Sequence, residues 1–129
     1  MRPRRIYARA RTAPRRDGRM NGMEAAYALT LKKREQLGEI AAWEYEPEKL
    51  RLADKTYYTP DFRVVMADGF VQFHEVKGHW EDDARVKFKM AAELHPYVFV
   101  AVTKGKHGWE FEVLNAPSDE DTQPMEVAK

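Results

Sequence analysis

The sequence predicts a mixed α/β domain: a helix, three strands, a second helix and one or two closing strands, with a central mixed sheet flanked by the helices. Three observations carry this. Asn21 followed by Glu24 reads as a capping box that opens a helix, and Gly38 reads as its stop. Alternating apolar residues on both sides of Asp68-Gly69 read as a β-hairpin. Residues 97–102 are apolar without alternation, the signature of a strand covered on both faces. The helix between hairpin and apolar strand makes that connection a crossover.

The first helix runs from near Asn21 to near Gly38, with Met23, Ala26, Tyr27, Leu31 and Leu37 approximating its apolar face. Residues 40–46 alternate, with Ile40, Ala42 and Glu44 on one face and Ala41, Trp43 and Tyr45 on the other, until Pro47 breaks the strand. Residues 48–56 are charged, with Leu50 and Leu52 as the strong apolar pair, and read as a continuation strand or an extended connector. Residues 57–65 form the second strand and 70–77 the third. Gly78 ends it. Glu81, Asp82 and Asp83 then crowd the start of the second helix, where acids suit the positive end of the dipole. Pro96 stops this helix after His95. Val86, Met90 and Leu94 form its expected buried stripe. Arg85 and Lys89 share an outer edge, and Lys87 lies off that edge. Residues 103–108 are a basic turn and 109–114 a final strand.

The 129 residues, 43% hydrophobic and 33% charged, fit one soluble domain with a modest core. The absence of cysteine excludes disulfides and cysteine-zinc sites. No apolar run reaches the length of a membrane span, and the basic start lacks the apolar segment of a secretory signal. A cytoplasmic protein without a membrane partner is expected. The net charge of +1 hides an asymmetry: the first 22 residues carry eight arginines and one acid, whereas the rest carry 14 basic and 20 acidic side chains. We expect three regions: an arm over 1–20, a folded domain over 21–114 and a disordered acidic tail over 115–129. Arg4, Arg5, Arg9, Arg11, Arg15, Arg16 and Arg19 suit a DNA-binding arm, because guanidinium pairs bidentately with phosphate. The blander account is a solubilising tail.

The chemistry-bearing residues bracket the hairpin turn. Thr59-Pro60-Asp61-Phe62 lies before it and His74-Glu75-Val76-Lys77-Gly78 after it. On a strand, Glu75 and Lys77 share a face. The loop decides where Asp61 points. A two-residue loop at Asp68-Gly69 places Asp61 opposite Val76. A three-residue loop, Ala67-Asp68-Gly69 with Gly69 left-handed, places it opposite Glu75. We expect the second. Two adjacent carboxylates repel unless a cation sits between them, and hard oxygen ligands suit magnesium or manganese. A neighbouring lysine can stabilise developing negative charge or position a water. The bland account of each residue alone is a surface strand with a salt bridge. Glu24 alone is explained by capping, or could be a third acid of the same site. His74, His79, His95 and His107 show no metal-ligand spacing and read as structural or exposed. Trp43, Trp80 and Trp109 read as packing.

Together, Pro60-Asp61, Glu75-Val76-Lys77 and the helical Glu24 resemble the PD-(D/E)XK nuclease superfamily, and within it the phage endonuclease I family of Holliday junction resolvases. The likeness extends to Asn21-Gly22-Met23-Glu24, Glu44-Tyr45-Glu46, Gly78-His79-Trp80-Glu81 and His95-Pro96, over roughly residues 20–103. It implies a restriction-endonuclease-like core. Asp61 and Glu75 would bind Mg2+, or Mn2+, with the Val76 carbonyl as a further ligand. Glu24 would complete a second ion position, and Lys77 would contact the attacking water or scissile phosphate. The resemblance implies hydrolysis of branched DNA, such as a four-way junction, leaving a 5′-phosphate and a 3′-hydroxyl. It also implies a homodimer, in which a swap through the connector at 46–57 would share active sites; the connector here is shorter than in the family. Arg85 and Lys89 join the arm as candidate DNA contacts. Two other readings remain open: a nuclease of this scaffold with a general nicking, repair or transposition task, and a DNA-binding module without catalysis.

Overall fold

A computed structural model describes residues 20–116. The expectations for the arginine arm and most of the acidic tail fall on residues 1–19 and 117–129, outside the described residues. The elements are α1 (Gly22–Gln36), β1 (Ile40–Tyr45), β2 (Leu50–Ala53), β3 (Thr56–Tyr58), β4 (Phe62–Met66), β5 (Val71–Val76), α2 (Asp82–Leu94), β6 (Val98–Gly105) and β7 (Gly108–Leu114). Five strands form a mixed sheet in the order β1-β4-β5-β6-β7. β5 and β6 run parallel across the α2 crossover, and the other pairs are antiparallel. The mixed α/β class is therefore as expected.

Each face of the sheet has its own core. On the α1 side, Tyr27 and Leu31 pack with Phe62, Val64, Val76 and the even-numbered valines of β6. On the α2 side, Phe88 and Ala91 pack with Phe73, Phe99 and Ala101. β6 thus buries both faces, which is why residues 97–102 show no alternation. The capping box at Asn21 is present, with Glu24 N–H donating to Asn21 Oδ1 at 2.8 Å.

Several boundaries differ from the sequence reading, for local reasons. The connector over residues 48–56 does contain strand, as Leu50–Ala53, but it does not continue β1. β2 and β3 pair as a separate two-stranded sheet and dock Leu50, Leu52 and Tyr58 onto the α2-side core. The strand expected over 57–65 is therefore two strands, interrupted at Thr59-Pro60-Asp61, where proline removes a ladder donor. In β1, Ile40 was grouped apart from Trp43 and Tyr45, but the pairing slips between Ile40 and Ala42. This bulge shifts the phase, so Ile40, Trp43 and Tyr45 all pack into the α1-side core. On α1, Leu37 is exposed and Ala28 takes a place in the buried face. On α2, the stripe of Val86 and Leu94 faces out, and Lys87, Phe88, Ala91 and Ala92 face in. β6 continues to Gly105, shortening the basic turn. Asn115, assigned to the tail, is tied to the fold by bonds from Nδ2 to the carbonyls of Ala92 and Tyr97.

Candidate active site

The hairpin joining β4 and β5 has the three-residue loop. Phe62 pairs with His74 and Val65 with Val71, and Met66 N–H donates to Phe70 O at 2.9 Å. Ala67-Asp68-Gly69 forms the tip, and Gly69 has φ +95°, a backbone region that an L side chain adopts only with strain. Extending this register by one residue brings Asp61 to Glu75, and the hydrogen bonds agree. Asp61 N–H donates to Glu75 Oε1 at 3.2 Å, and Val76 N–H donates to Asp61 Oδ2 at 2.9 Å. Tyr58 on β3 donates its hydroxyl to Glu75 Oε1 at 2.7 Å. Lys77 Nζ lies 3.3 Å from Glu75 Oε2.

Burial gives this cluster its character. Asp61 is fully buried and Glu75 nearly so, whereas Lys77 is about a third exposed. Two carboxylates are thus fixed in a low-dielectric wall, with one ammonium reaching from it towards water. Buried carboxylates persist only when hydrogen-bonded or paired with a cation. Here backbone N–H groups, a tyrosine hydroxyl and Lys77 fill that role. The Lys77 backbone is set by its N–H bond to Val102 O at 3.0 Å, which keeps β5 alongside β6 past the end of the ladder.

Glu24 is also buried, at 1% exposure, but is held from the α1 side. Its Oε1 accepts from Asn21 N–H at 2.9 Å and from the Tyr45 hydroxyl at 2.8 Å. Among the described residues, no three His, Asp or Glu side chains gather closely enough to hold a metal ion. The pair Asp61–Glu75 remains a donor set suited to magnesium. That ion commonly takes one or two protein carboxylates and completes its shell with water and substrate phosphate.

The remaining candidates divide. Arg85 pairs with Glu112 at 3.0 Å and lies 5.3 Å from the Trp80 ring, so it ties α2 to β7 as well as facing solvent. Lys89 is exposed. His74 is buried, accepting from the Tyr27 hydroxyl at Nδ1, 2.7 Å away, and donating from Nε2 to Gln72 Oε1 at 2.9 Å. Burial, then the nearby Arg34 charge, pull its pKa down to about 3, so this imidazole is neutral. His95 bonds the Arg51 carbonyl, while His79 and His107 are exposed. Two residues of the α2-side face of the sheet escaped sequence reasoning. Tyr58 was lost within an over-long strand, although its alternation with Thr56 was a usable signal. Lys87, placed only off the edge shared by Arg85 and Lys89, is 7% exposed.

No family model matches the chain, and neither a curated protein nor a solved structure does. No helix among the described residues is long and apolar enough to cross a membrane.

Proposed function

We propose that this chain is a metal-dependent DNA endonuclease of the PD-(D/E)XK type, with a restriction-endonuclease-like core, acting on branched DNA such as a four-way junction. The observation that carries the reading is the hairpin register, which sets Asp61 beside Glu75 with Lys77 at 3.3 Å. Asp61, Glu75 and the Val76 carbonyl would hold Mg2+ or Mn2+, with Glu24 serving a second ion. The metal would supply Lewis-acid activation of water and charge neutralisation at the phosphate. The protein's own part is positional. Tyr58 and the Asp61 N–H fix one oxygen of Glu75, and the Val76 N–H fixes one oxygen of Asp61, so neither acid needs to reorient. Lys77, nearest to solvent, can orient the attacking water or meet the scissile phosphate. Attack in line with the departing 3′ oxygen leaves a 5′-phosphate.

A dimer suits the junction reading, since two opposed strands must each be nicked. The β2–β3 hairpin folds back within the chain and lends Tyr58 to the site, so the residues expected to bridge swapped halves are packed locally. Mixing Glu24→Gln chains with Asp61→Asn chains tests sharing. Recovery to about a quarter of the wild-type rate, the statistical share of intact sites, is expected for sites built across subunits; no recovery assigns Glu24 to its own chain.

The reading as a whole is tested by incubating the protein with a four-way junction, a nicked duplex and a plain duplex, with magnesium and with EDTA. Paired nicks on the junction in magnesium alone are expected. Equal cutting of all three substrates would move the assignment to a general nuclease of the same scaffold. Binding without cutting would leave a DNA-binding module.

A further inference from the structure

Lys87 is the one lysine or arginine in the buried class among the described residues. It sits on the inner face of α2 beside Phe88 and Ala91. Lysine is almost never so buried unless paired. Yet among the described residues Lys87 makes no ion pair and no hydrogen bond. Phe88 and Ala91 on the same helix face pack with Phe73 and Ala101; Phe73 shares a strand face with Glu75, and Ala101 pairs with Glu75, so this face of α2 covers the side of the sheet that carries Glu75. Desolvation lowers its pKa, and Glu75 and then Asp83 oppose that shift.

The packing account of this residue is incomplete. A lysine stem can fill an apolar slot while its head reaches water. Methionine would fill the same slot without a desolvated charge, and apolar replacements of buried charges are often neutral or stabilising. What methionine lacks is a cation on the helix face that covers Glu75. Lys77 reaches Glu75 from β5, and Lys87 stands on the helix that covers the same face of the sheet.

We propose that Lys87 is a phosphate-binding residue of the active site: with Lys77 it forms a two-sided cationic cradle that holds the DNA phosphodiester against Asp61 and Glu75. The proposal rests on the nuclease reading and adds the group that seats the substrate. Lys77 works at the reacting atoms, whereas Lys87 contributes mainly to ground-state phosphate affinity. Its loss should therefore appear in KM more than in kcat.

The test is Lys87→Met, with Lys87→Gln as a second variant should the first not fold and Lys87→Arg as the rescue. Cleavage of junction and duplex DNA is followed in magnesium, and binding of the same DNAs is followed without metal across a salt series. For Lys87→Met, the expected result is a KM raised about tenfold with kcat within about threefold, and a log-log salt slope shallower by about one, the signature of one lost phosphate contact. The thermal midpoint should equal or exceed that of the wild type, and Lys87→Arg should restore KM. Unchanged KM and salt slope in a folded variant would overturn the proposal while leaving the nuclease reading intact. A wild-type chain that neither binds nor cuts DNA would remove both.

Discussion

Glu75→Gln is expected to cut magnesium-dependent cleavage by about three orders of magnitude, the scale seen when one preorganised electrostatic group is removed from an active site. DNA binding should persist. The fold should persist as well: the Tyr58 hydroxyl and the Asp61 N–H can still donate to the amide carbonyl. What changes is the oxygen facing Lys77, which becomes an amide nitrogen with no charge to offer a cation. Lys77, partly exposed, can turn to water, and the change also removes a buried charge from Glu75, so the two effects offset and stability should move by about 1–2 kcal/mol. Single-turnover cleavage alongside a thermal melt separates the two effects. Full activity in a folded Glu75→Gln protein would strike this residue from the mechanism, and with it the cluster's claim to be an active site.

The second large effect concerns stability in acid. His74 is neutral in the fold because burial and Arg34 hold its pKa near 3, against 6.5 when unfolded. The unfolded chain therefore takes up a proton that the native chain refuses. This contribution to stability is complete above pH 6.5 and is lost as pH falls towards 3. Each unit of pH within that window removes about 1.4 kcal/mol, so moving from pH 7 to pH 5 should cost about 2 kcal/mol. That is a large part of the ~5–15 kcal/mol that holds a typical domain together. Denaturant titrations at pH 7, 6 and 5 measure it, with His74→Gln as the reference, since glutamine can still accept from the Tyr27 hydroxyl. The difference between the two proteins should shrink steadily with acid. A constant difference would mean that His74 takes up its proton as readily in the native chain as in the unfolded one.

What the sequence made legible follows from how local each signal is. The capping box needs only Asn21 and Glu24, three residues apart. The register of β4 on β5 needs only the alternation and the chemistry of Ala67-Asp68-Gly69. Both were readable because one turn of chain contains the whole cause. The misreadings share the opposite property. The apolar face of α2 was assigned to Val86, Met90 and Leu94, which have the stronger side chains. Met90 does pack against the core, but Val86 and Leu94 are exposed, and the helix instead presents Phe88 with Ala91 and Ala92 to a sheet that already supplies Phe73 and Phe99. Close packing requires small residues opposite large ones, and that partner is invisible from within the helix. Lys87 was missed for the same reason, since nothing within the helix marks a charged position as an inner one. The β2–β3 hairpin was missed because Leu50 and Leu52 dock onto residues far along the chain. The bulge at β1 displaced a single phase, enough to move Ile40 across the sheet in the sequence reading.

The short loop at Ala67-Asp68-Gly69 has one further consequence. Asp61, Glu75 and Lys77 all belong to a single ribbon of seventeen residues. Closing so small a ring costs little entropy and does not wait for remote parts of the chain to arrive. The acids can thus meet early in folding, and their spacing is insulated from lengthening or trimming in the β6–β7 turn or the helix connections. Changes to that one tip are another matter: adding or deleting a single residue there would turn Asp61 away from its partner while leaving most of the protein intact.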